Sequence, residues 1–217
     1  MINLVFNKPV QAPINILCLG AHSDDIEIGC GGTLLRLIAE YPFMNVYWVV
    51  LGASDRRVGE AQKSAELFLS GVAEKKIVIK GFRDGYFPYI GAEIKDYFEI
   101  LKSQFSPDLI FTHYRRDLHQ DHRLVEELTW NTFRNHMILE YEIPKYDGDL
   151  GAPNYYVCFD KTHALKKIEY LHDSFVTQRD KYWFTEDTFL SLMRLRGVEA
   201  KSEGFYAEGF YAFKLVQ

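Results

Sequence analysis

Ile14-Asn15-Ile16-Leu17-Cys18-Leu19 is apolar at nearly every position and lacks a two-residue alternation. That pattern predicts a strand covered on both faces, as in a parallel sheet. It stops at Gly20-Ala21-His22, a polar cluster runs to Glu27, and Gly29-Cys30-Gly31-Gly32 leads into Thr33–Ala39, whose apolar residues recur at helical spacing with Thr33 placed as a cap. Further strands are predicted at Val46–Leu51, Lys76–Ile79 and Asp108–Thr112. Helices over Glu60–Leu69, closed by Gly71, and Ala92–Phe105, stopped near Pro107, separate them. Beyond these the pattern predicts a helix over Gln120–Arg134, a long loop from Glu140 to Pro153, and a strand over Asn154–Asp160. Helices over Ala164–Leu171 and Glu186–Leu195 and a late aromatic strand within Gly204–Leu215 complete the pattern.

Strands alternating with helices indicate βαβ units, hence an α/β fold: a Rossmann-like open, mainly parallel sheet with helices on both faces. In such sheets ligands bind beyond the carboxyl ends of the strands. Two polar clusters follow predicted strand ends, His22-Ser23-Asp24-Asp25 and His113 to His122, so the fold brings them to one edge.

The 217 residues, 47% hydrophobic, suffice for one substantial core, and we expect a single domain over 1–217, with a metal-binding core at 1–135 and a substrate-shaping part at 136–217. A net charge of -5 gives no general electrostatic reason to bind nucleic acid or an anionic membrane. No apolar run approaches the roughly 18 residues of a membrane-spanning helix. The start MINLVFNKPVQAPINILCLG lacks a basic segment followed by a continuous apolar stretch, so a cytoplasmic location is expected. Cys18, Cys30 and Cys158 are too scattered for a disulfide framework or a thiolate zinc site.

Four of the seven histidines, His22, His113, His119 and His122, follow predicted strands. Imidazoles with one carboxylate and an open position are the usual donors of a catalytic zinc or related divalent ion, and His22, Asp25 and His122 are the candidate set. Adjacent carboxylates on a loop point in different directions, so Asp25 can ligate while Asp24 serves as general base. His119 and His122 are three apart at a helix start, which lets one ligate while the other faces substrate. Taken singly, Asp24-Asp25 and Asp121 read as helix-capping charge, His113 as a strand-end histidine, and the glycines as tight packing. The glycine segment is neither GxGxxG nor a P-loop, which argues against a dinucleotide-dependent oxidoreductase. Together, the clusters favour a metal site.

These motifs resemble those of the PIG-L/LmbE-like family of metal-dependent N-deacetylases. The first, AHPDD-x-E followed by GGT, corresponds to Ala21-His22-Ser23-Asp24-Asp25-Ile26-Glu27 and Gly31-Gly32-Thr33, with serine in place of the usual proline. The second, HxxDxHxDH, corresponds to His113–His122 with one extra residue before Asp117. Arg57-Val58-Gly59-Glu60 and Asp84-Gly85 match intervening elements, and Ala207–Phe210 a weaker late one. The resemblance implies an LmbE-like fold and a Zn2+-dependent hydrolase, with Fe2+ or another divalent ion as a substitute. Its substrate would be a small N-acetylated amino-sugar conjugate or nucleotide sugar, attacked by water that the ion and Asp24 activate. It implies His22, Asp25 and His122 as metal ligands, Asp24 as base, and His119 as oxyanion stabiliser or acid. Asp121 would orient His119, and Arg57 would contact substrate. The partner is then a small molecule, with neither nucleic acid nor membrane, and a homo-oligomer is compatible. The alternatives are a metal hydrolase of a different amide or ester on the same fold, or a non-catalytic sugar-nucleotide-binding protein.

Overall fold

The computed structural model describes residues 12–215. The reading of the N-terminal residues 1–11 as lacking a secretory start lies outside the described residues. In chain order the strands are β1 (Ile14–Gly20), β2 (Met44–Val50), β3 (Glu74–Ile79), β4 (Leu109–His113), β5 (Met137–Tyr141), β6 (Tyr155–Phe159) and β7 (Tyr206–Ala212). The helices are α1 (Asp25–Glu40), α2 (Asp55–Phe68), α3 (Gly91–Gln104), α4 (Gln120–Thr132), α5 (Lys161–Ser174) and α6 (Glu186–Glu199). The seven strands form one sheet in the order β3-β2-β1-β4-β5-β7-β6. The pairings from β3 across to β5 are parallel, and β7 runs antiparallel to both β5 and β6. This is the mainly parallel α/β sheet that the alternation predicts.

The absence of alternation in β1 has a direct cause. Ile14, Ile16 and Cys18 enter one apolar cluster and Leu17 and Leu19 the other, one on each side of the sheet. Helices α1, α2, α5 and α6 pack on the first side, whereas α3 and α4 pack together on the second. From β1 the chain passes to β2 on one flank, while β4 lies on the other. The gap at the carboxyl ends of β1 and β4 is therefore the switch point of the sheet, where ligands bind in folds of this kind. Among the described residues, no helix is long and apolar enough to cross a membrane.

Three expectations change. Helix α1 begins at Asp25 rather than Thr33, so Thr33 lies inside it and caps nothing. Residues Glu140 and Tyr141, expected in a loop, are the buried end of β5, and the loop starts only after them. Helix α2 also starts earlier, at Asp55, which places Arg57 in its first turn.

Candidate metal centre

Strand β1 ends at Gly20, and the next four residues turn sharply into α1. The His22 N–H donates to Asp25 Oδ2 at 2.6 Å, which closes the turn and presents both side chains to the switch point. Across the gap, β4 ends at His113, and α4 begins after His119, whose ring Nδ1 accepts the Asp121 N–H at 3.3 Å as a cap. His122 then follows in the first turn of α4.

The predicted ligands converge. His22 Nδ1 lies 3.1 Å from His122 Nε2 and 3.4 Å from Asp25 Oδ2, and His122 Nε2 lies 3.6 Å from Asp25 Oδ1. Donors bonded at about 2.1 Å to one tetrahedral ion stand about 3.4 Å apart, so these three fit a divalent cation. Both histidines are backed from behind. His122 Nδ1 is 2.9 Å from Asp117 Oδ2, while His22 Nε2 is 3.1 Å from Asp84 Oδ1 and 3.2 Å from Asp121 Oδ2. Carboxylates on the outer nitrogens of imidazoles are the usual support of metal-binding histidines. Other donors share the space: His119 groups with His22 and His122, and His113 with Asp25 and His122.

Burial governs the electrostatics. It would raise the Asp25 carboxyl, but His122, His113 and His22 outweigh it and hold Asp25 well below the usual carboxylate range. Burial, together with the neighbouring His113, brings His122 down to about 4, which leaves it neutral and able to ligate. Burial also works to lower His22, yet the Asp25 charge and the bonds to Asp121, Asp25 and Asp84 raise it well above the ordinary histidine value. Burial and the His22 charge lower His119.

Asp24 stands beside this group without joining it. Its Oδ1 accepts from Arg57 at 2.8 Å. Burial raises its carboxyl and the Arg57 charge opposes the rise. Arg57, expected on substrate, is thus engaged with Asp24. Asp121, expected to orient His119, instead directs its carboxylate to His22 and to the Gly85 and Phe87 N–H groups, at 3.2, 2.6 and 3.1 Å. The physical reason is helical spacing: residues two apart, such as His119 and Asp121, do not share a face. His119 is half-buried and the most open of the four histidines. Because its Nδ1 accepts the Asp121 N–H, a neutral ring carries its hydrogen on Nε2.

Several supporting residues lie outside the predicted set. Asp84 and Asp117 belong to short motifs visible in the chain, but their part as histidine supports shows only in space. His113, fully buried, accepts the Ala21 N–H at Nε2 at 2.9 Å and lies 3.3 Å from Asp25 Oδ2. It belongs to the wall of the site. Lys145 reaches Asp117 Oδ2 at 2.9 Å from the connection after β5, and nothing in the sequence around it signals that contact.

The fold and the site together define an α/β protein with a buried His/Asp group that could hold a metal ion at the sheet's switch point. The family model described as "PIG-L: GlcNAc-PI de-N-acetylase" matches residues 17–133, more than half of the chain, and the protein belongs to this family. Over 136 residues it is 28% identical to the uncharacterized deacetylase YaiS of Escherichia coli (strain K12), covering 59% of this chain and 74% of that one. Its structure is similar to that of the N,N'-diacetylchitobiose deacetylase from Pyrococcus horikoshii, with a TM-score of 0.68, 24% identity and coverage of 92% of this chain and 83% of the other. GalB, the 4-carboxy-2-hydroxymuconate hydratase of Pseudomonas putida KT2440, is similar at a TM-score of 0.67 and 16% identity, covering 94% and 98%. These structural likenesses show the fold. They also show that this fold serves both a deacetylase and a hydratase, so activity must be argued from the site.

Proposed function

We propose that this protein is a divalent-metal-dependent hydrolase, with zinc as the first candidate, that removes the N-acetyl group from a small N-acetylated amino-sugar conjugate or nucleotide sugar. The observation that carries the reading is the convergence of His22 Nδ1, His122 Nε2 and the Asp25 carboxylate within 3.1–3.6 Å, with a separate buried carboxylate, Asp24, alongside. The family description and the substrate named for the Pyrococcus horikoshii enzyme both support an N-acetylglucosaminyl type of substrate.

His22, Asp25 and His122 would hold the ion, which when bound supplies Lewis-acid polarisation of the acyl oxygen and eases deprotonation of water. Asp24 accepts the proton of the attacking water. Arg57 fixes that carboxylate in place, and its charge favours the ionised form. His119, through Nε2–H, donates to the developing oxyanion, and Asp24 passes the proton it took from water to the departing amine, which otherwise leaves poorly. Asp117, Asp121 and Asp84 hold the histidines in orientation. The part from residue 136 onward shapes the mouth: Lys145 lies on Asp117, and the charge of Lys181 acts on Asp24.

Metal analysis of the purified protein, coupled to acetate release from a panel of N-acetylglucosaminyl conjugates and nucleotide sugars, tests this reading. Acetate is expected, and Asp24→Asn should lower turnover by about 10²–10⁴-fold with metal content retained. Near-native turnover in Asp24→Asn removes the base assignment. Bound metal without acetate, accompanied by hydration of an unsaturated acid, would favour the chemistry of the GalB relative.

A further inference from the structure

Lys145 lies in the connection between β5 and β6, and its ammonium is enclosed by two carboxylates. Nζ donates to Asp117 Oδ2 at 2.9 Å and to Asp149, and the side chain is only 10% exposed. The same Asp117 oxygen faces His122 Nδ1 at 2.9 Å, while Asp117 Oδ1 accepts the His119 N–H at 2.7 Å. One buried oxygen is therefore shared between the outer nitrogen of a candidate ligand and a fixed cation. Asp149 also accepts the Leu118 N–H at 2.7 Å, which anchors this connection to the segment entering α4.

The arrangement has an electrostatic consequence. A carboxylate on the outer nitrogen of a ligating imidazole strengthens the ring as a donor. A cation on that carboxylate draws charge away and weakens the effect, and in a buried setting solvent and salt screen it little. Asp149, on the far side of the ammonium, partly offsets the cation. We propose that Lys145 is a positioning residue that moderates, through Asp117, how strongly His122 binds the ion, so that the ion keeps more of its Lewis acidity. This rests on the reading of His122 as a metal ligand.

The two sides of the clamp then have opposite effects. Lys145→Met removes the cation and tightens metal binding. Asp149→Asn leaves the whole Lys145 charge on Asp117 and weakens it. Loss of a merely structural clamp would weaken binding in both variants. The test is Zn2+ affinity of the full chain by chelator competition, with the ligand-field spectrum of the Co2+-loaded protein as a second readout. The dissociation constant should fall on the order of 10-fold in Lys145→Met, stay near native in Lys145→Arg, and rise in Asp149→Asn. Unchanged or weaker binding in Lys145→Met overturns the proposal. Should that variant not fold, tighter or equal binding in Asp149→Asn overturns it. A wild-type chain that takes up no divalent ion overturns instead the metal reading on which the proposal rests.

Discussion

His22 uses both ring nitrogens, Nδ1 toward His122 and Asp25, Nε2 toward Asp84 and Asp121. This division is what a supported metal ligand requires. A second cluster of charges lies further along β5. Arg115, in the segment that carries the extra residue of the second motif, forms a paired bond to buried Glu140 and stacks 3.4 Å from the Phe213 ring centroid. Glu140 also takes the Trp130 Nε1–H, and Glu126 packs beside it, 3.6 Å from the Arg115 guanidinium. Burial, followed by repulsion from Glu140, pushes the Glu126 carboxyl up to about 8. With the folded value raised, the unfolded chain loses this proton first as pH rises from about 4.5 toward 8. Stability from this group is therefore full at low pH and falls through that window. Glu126→Gln should match the wild type at pH 4 and melt higher at pH 9, by about 2–4 °C if solvent screening leaves a penalty of about 1 kcal/mol. Equal melting points at pH 9 would show that Glu126 bears no such penalty.

Helix α1 shows why element boundaries moved. Glycines disfavour helix, so in the sequence the periodic pattern begins only after Gly32. The glycines serve contact instead: a Cβ on Gly29, Gly31 or Gly32 would lie 2.2 Å from the Tyr141 ring, 2.6 Å from Phe68 or 2.6 Å from Phe159. The helix kinks at Cys30, and Glu208 from β7 accepts the Gly32 and Thr33 N–H groups at 2.9 and 2.7 Å, steadied by Lys167 at 2.6 Å. The late motif at Ala207–Phe210 is thus a cap for this kink. Gly29→Ala should cost about 1–3 kcal/mol and lower the melting point by several degrees. It should also loosen the site, because the displaced Tyr141 hydroxyl bonds the Leu19 carbonyl at 2.6 Å and lies 3.2 Å from His113 Nε2. A native melting point would show that α1 can shift to accommodate the methyl. Strand β5 leaves a weak trace in the sequence because Glu140 breaks its short apolar run, and the charge is tolerated only because Arg115 and Trp130 meet it there.

At the scale of the molecule, the donors come from both sides of the switch point, so an ion held there would tie β1 and α1 to α4. Folding and binding should then be linked. Zn2+ at 100 times its dissociation constant adds about 2.7 kcal/mol, which predicts a rise in melting point of about 5–11 °C that a chelator reverses and His122→Ala abolishes. A rise of the same size in His122→Ala would remove His122 from the ligand set. The sequence by itself determined the strand–helix alternation, the parallel α/β class and the residues of both polar clusters, because burial on two faces and helical spacing leave local traces in the chain. Only the tertiary structure decided that Asp121 supports His22, that Arg57 holds Asp24, that Glu208 caps α1, and that Lys145 bears on Asp117. These partners lie tens of residues or more from what they support, and a charged side chain carries no sign of which distant carboxylate, histidine or helix turn it will meet.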